Sequence, residues 1–228
     1  MLSFPGSGPL WLSVQLAAVT TVMLILIGTP LAWWLSGTAS RLKSVIEAAV
    51  ALPIVLPPTV MGFYLLILLG PYGSIGSWWV NLTGETLTFS FSGLVIASCC
   101  YSLPFAVQPL QNAFEALNRR DLEAAWTLGA SRLDAFFTVV VPQSMRGFLN
   151  AVVLSFAHTM GEFGVVLMVG GNIPGETRVI SIEIYDKVES LQYTDAHRLS
   201  AILLVFAFTI LLLMYTLNRR WQRKRIPG

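Results

Sequence analysis

Apolar residues along this chain fall into five long runs, near 10–36, 46–70, 90–113, 147–170 and 199–218, separated by shorter polar stretches. Each run has the roughly 20 residues that carry a helix across a bilayer. Helical form is forced there, because hydrocarbon offers no partner to an open backbone. The polar stretch 171–198 is not wholly polar, and it admits a sixth, broken or re-entrant span. Within it, "VISIEIYDKVESLQ" puts Ile180, Ile184, Val188 and Leu191 on one helical face, with Glu183, Asp186 and Lys187 off it. This pattern predicts an amphipathic helix at the outer surface, in preference to a β-ribbon alternating through Val179, Ser181 and Glu183.

Composition agrees with a membrane protein: 55% of the residues are hydrophobic and 11% charged, against about 25% charged in soluble domains. The first run has no basic residue ahead of it in "MLSFPGSGPLW", so it reads as a retained span rather than a signal peptide. Charge supplies an orientation. Arg41, Lys43, Arg119, Arg120, Arg132, Arg146 and the tail "NRRWQRKR" follow the first, third and fifth runs, whereas residues 1–40 and 71–88 hold no Lys or Arg. The positive-inside rule then places the N-terminus outside and the C-terminus in the cytoplasm. The basic tail 219–225 is expected to sit against anionic lipid. Cys99 and Cys100 are adjacent within an apolar run and read as small core residues. No metal-ligand spacing, cofactor motif or nucleic-acid signature appears, and His197 beside Asp195 reads as a solvated pair.

Two stretches break the apolar pattern. In "ALPIVLPPTVMG" of the second run, Pro53, Pro57 and Pro58 each remove a backbone donor, which either kinks a span or lets it line a cavity. In "DLEAAWTLGASRLDAFFTVVVPQ", Asp121 is expected to cap a short helix, Gly129 to close it, and Ser131 to start another with Asp134 three residues on. Pro142 is expected at the start of the next long run. Ala124, Ala125 and Leu128 then form a flat apolar strip beside Trp126. This helix–turn–helix either packs on its own bundle or receives a partner.

Glu123-Ala124-Ala125, Gly129 and Pro142 fall at the spacing of the E-A-A loop of importer-type ABC permease subunits, with Val139 and Val141 where that pattern has Ile and Leu. By that resemblance the chain is an all-α bundle of five, or six, transmembrane helices. Residues 1–228 form one permease domain, and 121–142 form its cytoplasmic coupling loop. The coupling residues would be Glu123, Ala124, Ala125, Trp126, Leu128, Gly129 and Pro142. The chain carries no G-x-x-x-x-G-K followed by Ser or Thr, so it has no ATP site of its own. The resemblance therefore implies a separate ATPase subunit in two copies, a second copy of this chain about a two-fold axis, and a periplasmic or extracellular binding protein. "LPIVLPPTVMGFYLL", Gly161-Glu162-Phe163-Gly164 and Asn172 to Arg178 further resemble molybdate permeases, over about residues 10–218. Sulfate and tungstate permeases are the alternatives. A self-sufficient secondary transporter is disfavoured, because no internal repeat is seen.

In the fourth run Ser155, His158 and Glu162 lie at i, i+3 and i+7 on one helical face, with Thr159 beside them. Ionisable groups inside a membrane are functional candidates. Glu162 has the wrong sign to hold an anion, so it is expected to pair with His158, as a structural link between helices or a gate. Gly161 and Gly164 are expected to let helices approach closely. These residues, with Pro57 and Pro58, make up the expected path or gate. Arg178 meets either an anion or partner, or a local acid such as Glu176 or Glu183.

Overall fold

A computed structural model describes residues 8–225, with the side chains of 217 and 219–225 excepted. The expected contact of the basic tail with lipid rests on side chains outside the described residues. The described residues are helical and contain no strand: α1 (Pro9–Gly37), α2 (Lys43–Val55), α3 (Pro58–Leu69), α4 (Ser74–Thr83), α5 (Phe91–Glu115), α6 (Arg119–Thr127), α7 (Arg132–Ala135), a π-helical turn (Phe136–Val140), α8 (Val141–Gln143), α9 (Met145–Met160), α10 (Gly164–Gly170), α11 (Ile180–Glu189) and α12 (Tyr193–Arg225). Three helices are long and apolar enough to cross a membrane, and five crossings result if each bent pair is one.

The centre of the molecule is the packing of α1, α5 and α9. At one end Ala32, Leu35, Val107, Leu110, Phe114 and Ala151 are fully or nearly fully buried together; at the other, Leu12, Leu16, Leu94, Val166 and Ile182 are. Burying a leucine or valine contributes about 1.5–3 kcal/mol in water. In lipid the gain comes from close packing instead, and Gly147 supplies it: a Cβ there would stand 2.3 Å from that of Ala113. α12 lies outside this core against α9 and α11, with most of its span exposed, as a lipid-facing helix would be.

Two expected spans are broken. The run 46–70 bends by 114° between α2 and α3. Leu56 and Pro57 each precede a proline, which disfavours helical ψ, and they take ψ 138° and 136°. Pro58 then starts α3, where its missing donor is harmless. The run 147–170 ends as a helix at Met160 and resumes at Gly164. The helix–turn–helix is present, but Asn118, not Asp121, caps α6, its Oδ1 accepting from the Arg120 amide at 3.2 Å. Asp121 lies in the first turn and instead accepts from Gln143 Nε2 at 3.0 Å. Ser131 caps α7 as expected, and Gly129 closes α6 at φ +88°. Pro142 is at the first turn of α8, but α8 does not open the next long run. It sits inside a helical run from Arg132 to Gln143 that widens to a π-turn just before it, and the bend of 73° comes at Ser144. Without an amide hydrogen Pro142 cannot continue the α ladder; the widened turn accommodates its ring.

The stretch 71–88, expected as a loop, contains α4. α11 is a helix, as expected, but the side chains it buries are Ile180 and Ile182, while Val188 and Leu191 are exposed. Its partner is the protein itself: Ile180 donates its amide to Ser13 Oγ of α1 at 2.8 Å. Asp195 takes Arg198 as its ion-pair partner at 3.7 Å, not His197.

Candidate functional site: a cavity at the chain break and an exposed helix at the basic end

Glycine decides how α3, α5, α9 and α10 meet. A Cβ on Gly164 would lie 2.8 Å from that of Pro58, and one on Gly62 would lie 2.7 Å from that of Met168. So α10 lies directly on α3, start against start. Gly161, in contrast, has ordinary room around it, with nothing closer than 3.8 Å to such a Cβ. It belongs to the break, not to a close helix contact.

That break opens a cavity of about 530 Å³, lined by Pro58, Thr59, Tyr101, His158, Glu162 and Gly164, together with Ala157, Gly161 and Phe163. Five of the residues expected to form the path therefore meet on one wall: Pro58, His158, Gly161, Glu162 and Gly164. Pro57, the cap residue of α3, and the buried Ser155 and Thr159 are not among the residues lining the cavity.

The expected His158–Glu162 pair is not formed. His158 Nδ1 lies 2.9 Å from Ser102 Oγ, which lies 3.1 Å from Thr159 Oγ1. The imidazole stacks on Phe105 with ring centroids 4.0 Å apart. Glu162 is no longer on the same helical face, because α9 ends two residues before it. It is 4% exposed, and among the described residues neither carboxyl oxygen has a hydrogen-bond partner. Ser98 of α5 faces it without reaching hydrogen-bonding geometry. Ser102, Tyr101 and Phe105 went unnoticed in the sequence. The signal was there: "CCYSLPF" places a hydroxyl inside an apolar span.

At the opposite end of α1 the helix α6 stands out from the bundle. Leu122 packs against the core, while Glu123, Ala124, Trp126 and Leu128 are exposed and Ala125 is half-buried. Trp126 is 48% exposed and, with Trp33 and Leu122, lines two cavities. One, of about 810 Å³, is bounded by Trp33, Trp34, Phe114, Lys43 and Glu115; the other, of about 570 Å³, by Ala130, Arg132 and Phe136. Beside them Lys43 pairs with Glu115 at 3.2 Å and Glu47 at 3.7 Å, and Gln111 Nε2 donates to both carboxylates. This network ties α2 to α5.

Residues 24–226 match the family model of the binding-protein-dependent transport system inner membrane component. The chain belongs to this family. As an inner membrane component with several apolar helices, it is a multi-pass membrane protein. It is 56% identical over 208 residues to the molybdenum transport system permease protein ModB of Azotobacter vinelandii, covering 91% of this chain and 92% of that one. It is 34% identical to a probable sulfate transport system permease protein of Chlorella vulgaris, covering 89% of this chain and 76% of that one. Its fold is that of ABC transporter membrane subunits. A chain in the crystal structure of a bacterial alginate ABC transporter superposes with a TM-score of 0.72 at 16% identity, covering 93% of this chain and 77% of that one.

Arg178 is committed locally in this inner membrane component. Its guanidinium lies 3.3 Å from Glu183 and 3.6 Å from Asp186, and its Nε donates to Asn172. Glu183 also meets Lys187 at 3.8 Å. The local ion pair expected of Arg178 is formed, with Glu183.

Proposed function

We propose that this chain is the membrane-spanning subunit of an ATP-driven importer for molybdate, working as a pair with itself and driven by a separate ATPase in two copies. The reading is carried by the 56% identity to a molybdenum permease along 92% of that protein's length. The sulfate permease relative aligns at lower identity over less of its length, and tungstate, nearly identical in charge and shape to molybdate, is expected to share the path. Arg41, Lys43, Arg119, Arg120, Arg132 and Arg146 gather at the α6 end. This favours a cytoplasmic α6 and C-terminus, with the N-terminus and α11 outside.

In this reading the work divides by end. Glu123, Ala124, Ala125, Trp126, Leu128 and Gly129 present a small-residue surface with one large aromatic to the ATPase, and Pro142 sets the widened turn that carries force into α9. Small side chains admit close approach, and a half-exposed tryptophan lining two cavities is the anchor type found at interface hot spots. Force on α6 passes through Leu122 and the Gln143–Asp121 bond into the α1–α5–α9 core. The path runs past the cavity at the break. A dianion there cannot shed its water without donors, because one unpaired charge in hydrocarbon costs tens of kcal/mol in the Born limit. His158 offers its ring edge. Glu162 repels the cargo when ionised, so its role is to gate, with Pro58, Gly161 and Gly164 shaping the opening.

The test is uptake of labelled molybdate into vesicles holding this subunit with its ATPase, with the binding protein added outside. ATP inside should drive uptake, excess tungstate should compete, and excess sulfate should not. Vesicles holding this chain alone should take up none. Uptake by the chain alone, or equal competition by sulfate, contradicts the reading.

A further inference from the structure

The break at Gly161–Phe163 is held from outside its own span, and both holds come from α11. The Glu162 carbonyl lies beyond the end of α9, where a helix leaves its last carbonyls without partners. Ser181 supplies one, its hydroxyl donating to that oxygen. The next residue, Phe163, packs its ring on Tyr185, with centroids 5.0 Å apart and the planes tilted by 43°. Ser181 and Tyr185 stand four apart on α11, so one face of that helix grips two consecutive residues of the break.

The other faces of α11 say what moves it. Ile180 and Ile182 are buried, and the Ile180 amide is fixed to Ser13, so the helix is seated on α1 at its first turn. Its far end carries Asp186, Lys187 and Glu189 toward solvent, in a mixed-charge patch continuous with Arg178 and Glu183. Tyr185 bridges the two regions, because its hydroxyl donates to Glu189 Oε1 at 2.8 Å. That hydrogen bond, and the charge of the same carboxylate, raise the phenol above its ordinary pKa. A helix anchored on α1 at its first turn, packed against α12, charged on its outer face and gripping a chain break can pass a push on that face to the break.

We propose that Ser181 and Tyr185 are positioning residues that link a soluble protein docked on the charged surface of α11 to the break, and hence to the cavity lined by His158 and Glu162. The docked partner is the cargo-delivering binding protein, so this inference rests on the function proposed above. Neither residue touches the cargo.

The test uses the whole complex in vesicles and reads ATP hydrolysis with and without molybdate-loaded binding protein. S181A and Y185A should leave basal hydrolysis unchanged; S181A should lower the stimulation ratio about fivefold, the size expected for loss of one neutral hydrogen bond, and Y185A, which removes the ring contact as well, at least as much. S181T, which keeps the hydroxyl, should retain stimulation, whereas Y185F, which keeps the ring on Phe163 but loses the bond to Glu189, should lower it. S181C preserves the packing with only a weak donor, and should fall with S181A even where the smaller side chain impairs assembly. Wild-type stimulation in S181A and Y185A overturns the proposal. So does a parallel fall of basal and stimulated hydrolysis at constant ratio, which is what a merely structural role produces. A wild-type complex that ignores the binding protein defeats the functional reading instead.

Discussion

Gly164 and Glu162 stand two residues apart and answer to different physics. Gly164 is steric: its missing Cβ is what lets α10 lie on Pro58. Gly164→Ala should force the two helix starts apart and lower thermal stability by about 1–3 kcal/mol, the usual cost of overpacking. Gly161→Ala, with ordinary room around it, should cost far less. Detergent-solubilised melting curves of the two variants check the difference, and equal losses would mean that the close contact is not where the geometry puts it. Glu162 is electrostatic, and its sequence neighbourhood misled. Spacing of i, i+3 and i+7 joins Ser155, His158 and Glu162 only on a continuous helix, and α9 stops at Met160. The imidazole then turns to Ser102 and Phe105. No single-helix pattern could have revealed that partner, because Ser102 lies on another helix, 56 residues away.

Helix ends were more legible than helix interiors. Ser131 and Gly129 do what their types predict, because a cap depends on a few local atoms. Asp121 lost the cap to Asn118 by three positions, and both are good capping residues. Asn118→Ala should therefore weaken α6 by about 1 kcal/mol, whereas Asp121→Ala should act by freeing Gln143. Hydrogen exchange at the α6 amides of the two variants reads this: faster exchange is expected in the first, and faster exchange only in the second would reverse the assignment. The prolines of "LPP" were visible as helix breakers, yet the 114° bend goes well beyond a kink. Two consecutive pre-proline residues, Leu56 and Pro57, leave no helical turn to carry the axis through. The buried side of α11 was misjudged for a different reason. Periodicity finds an apolar face, but the contact with α1 chose Ile180 and Ile182 as the residues buried against the bundle.

For the whole molecule, five apolar runs announced a helical membrane bundle. Where two of those runs break, how α11 seats, and which side chains meet at the cavity depended on packing between distant segments. The two ends of the bundle follow one design. A short helix with an exposed face, α6 at one end and α11 at the other, is tied by a few named bonds to the α1–α5–α9 core. In this account the core carries motion between them and does no chemistry. The most direct test is the ratio of molybdate taken up to ATP hydrolysed, measured together in vesicles containing the assembled complex with wild-type or W126A subunits. Removing an anchor of this kind costs about 2 kcal/mol or more at an interface. W126A is therefore expected to leave ATP turnover measurable in the motor while uptake per ATP collapses. Uptake at the wild-type ratio would contradict the claim that α6 is where the motor takes hold.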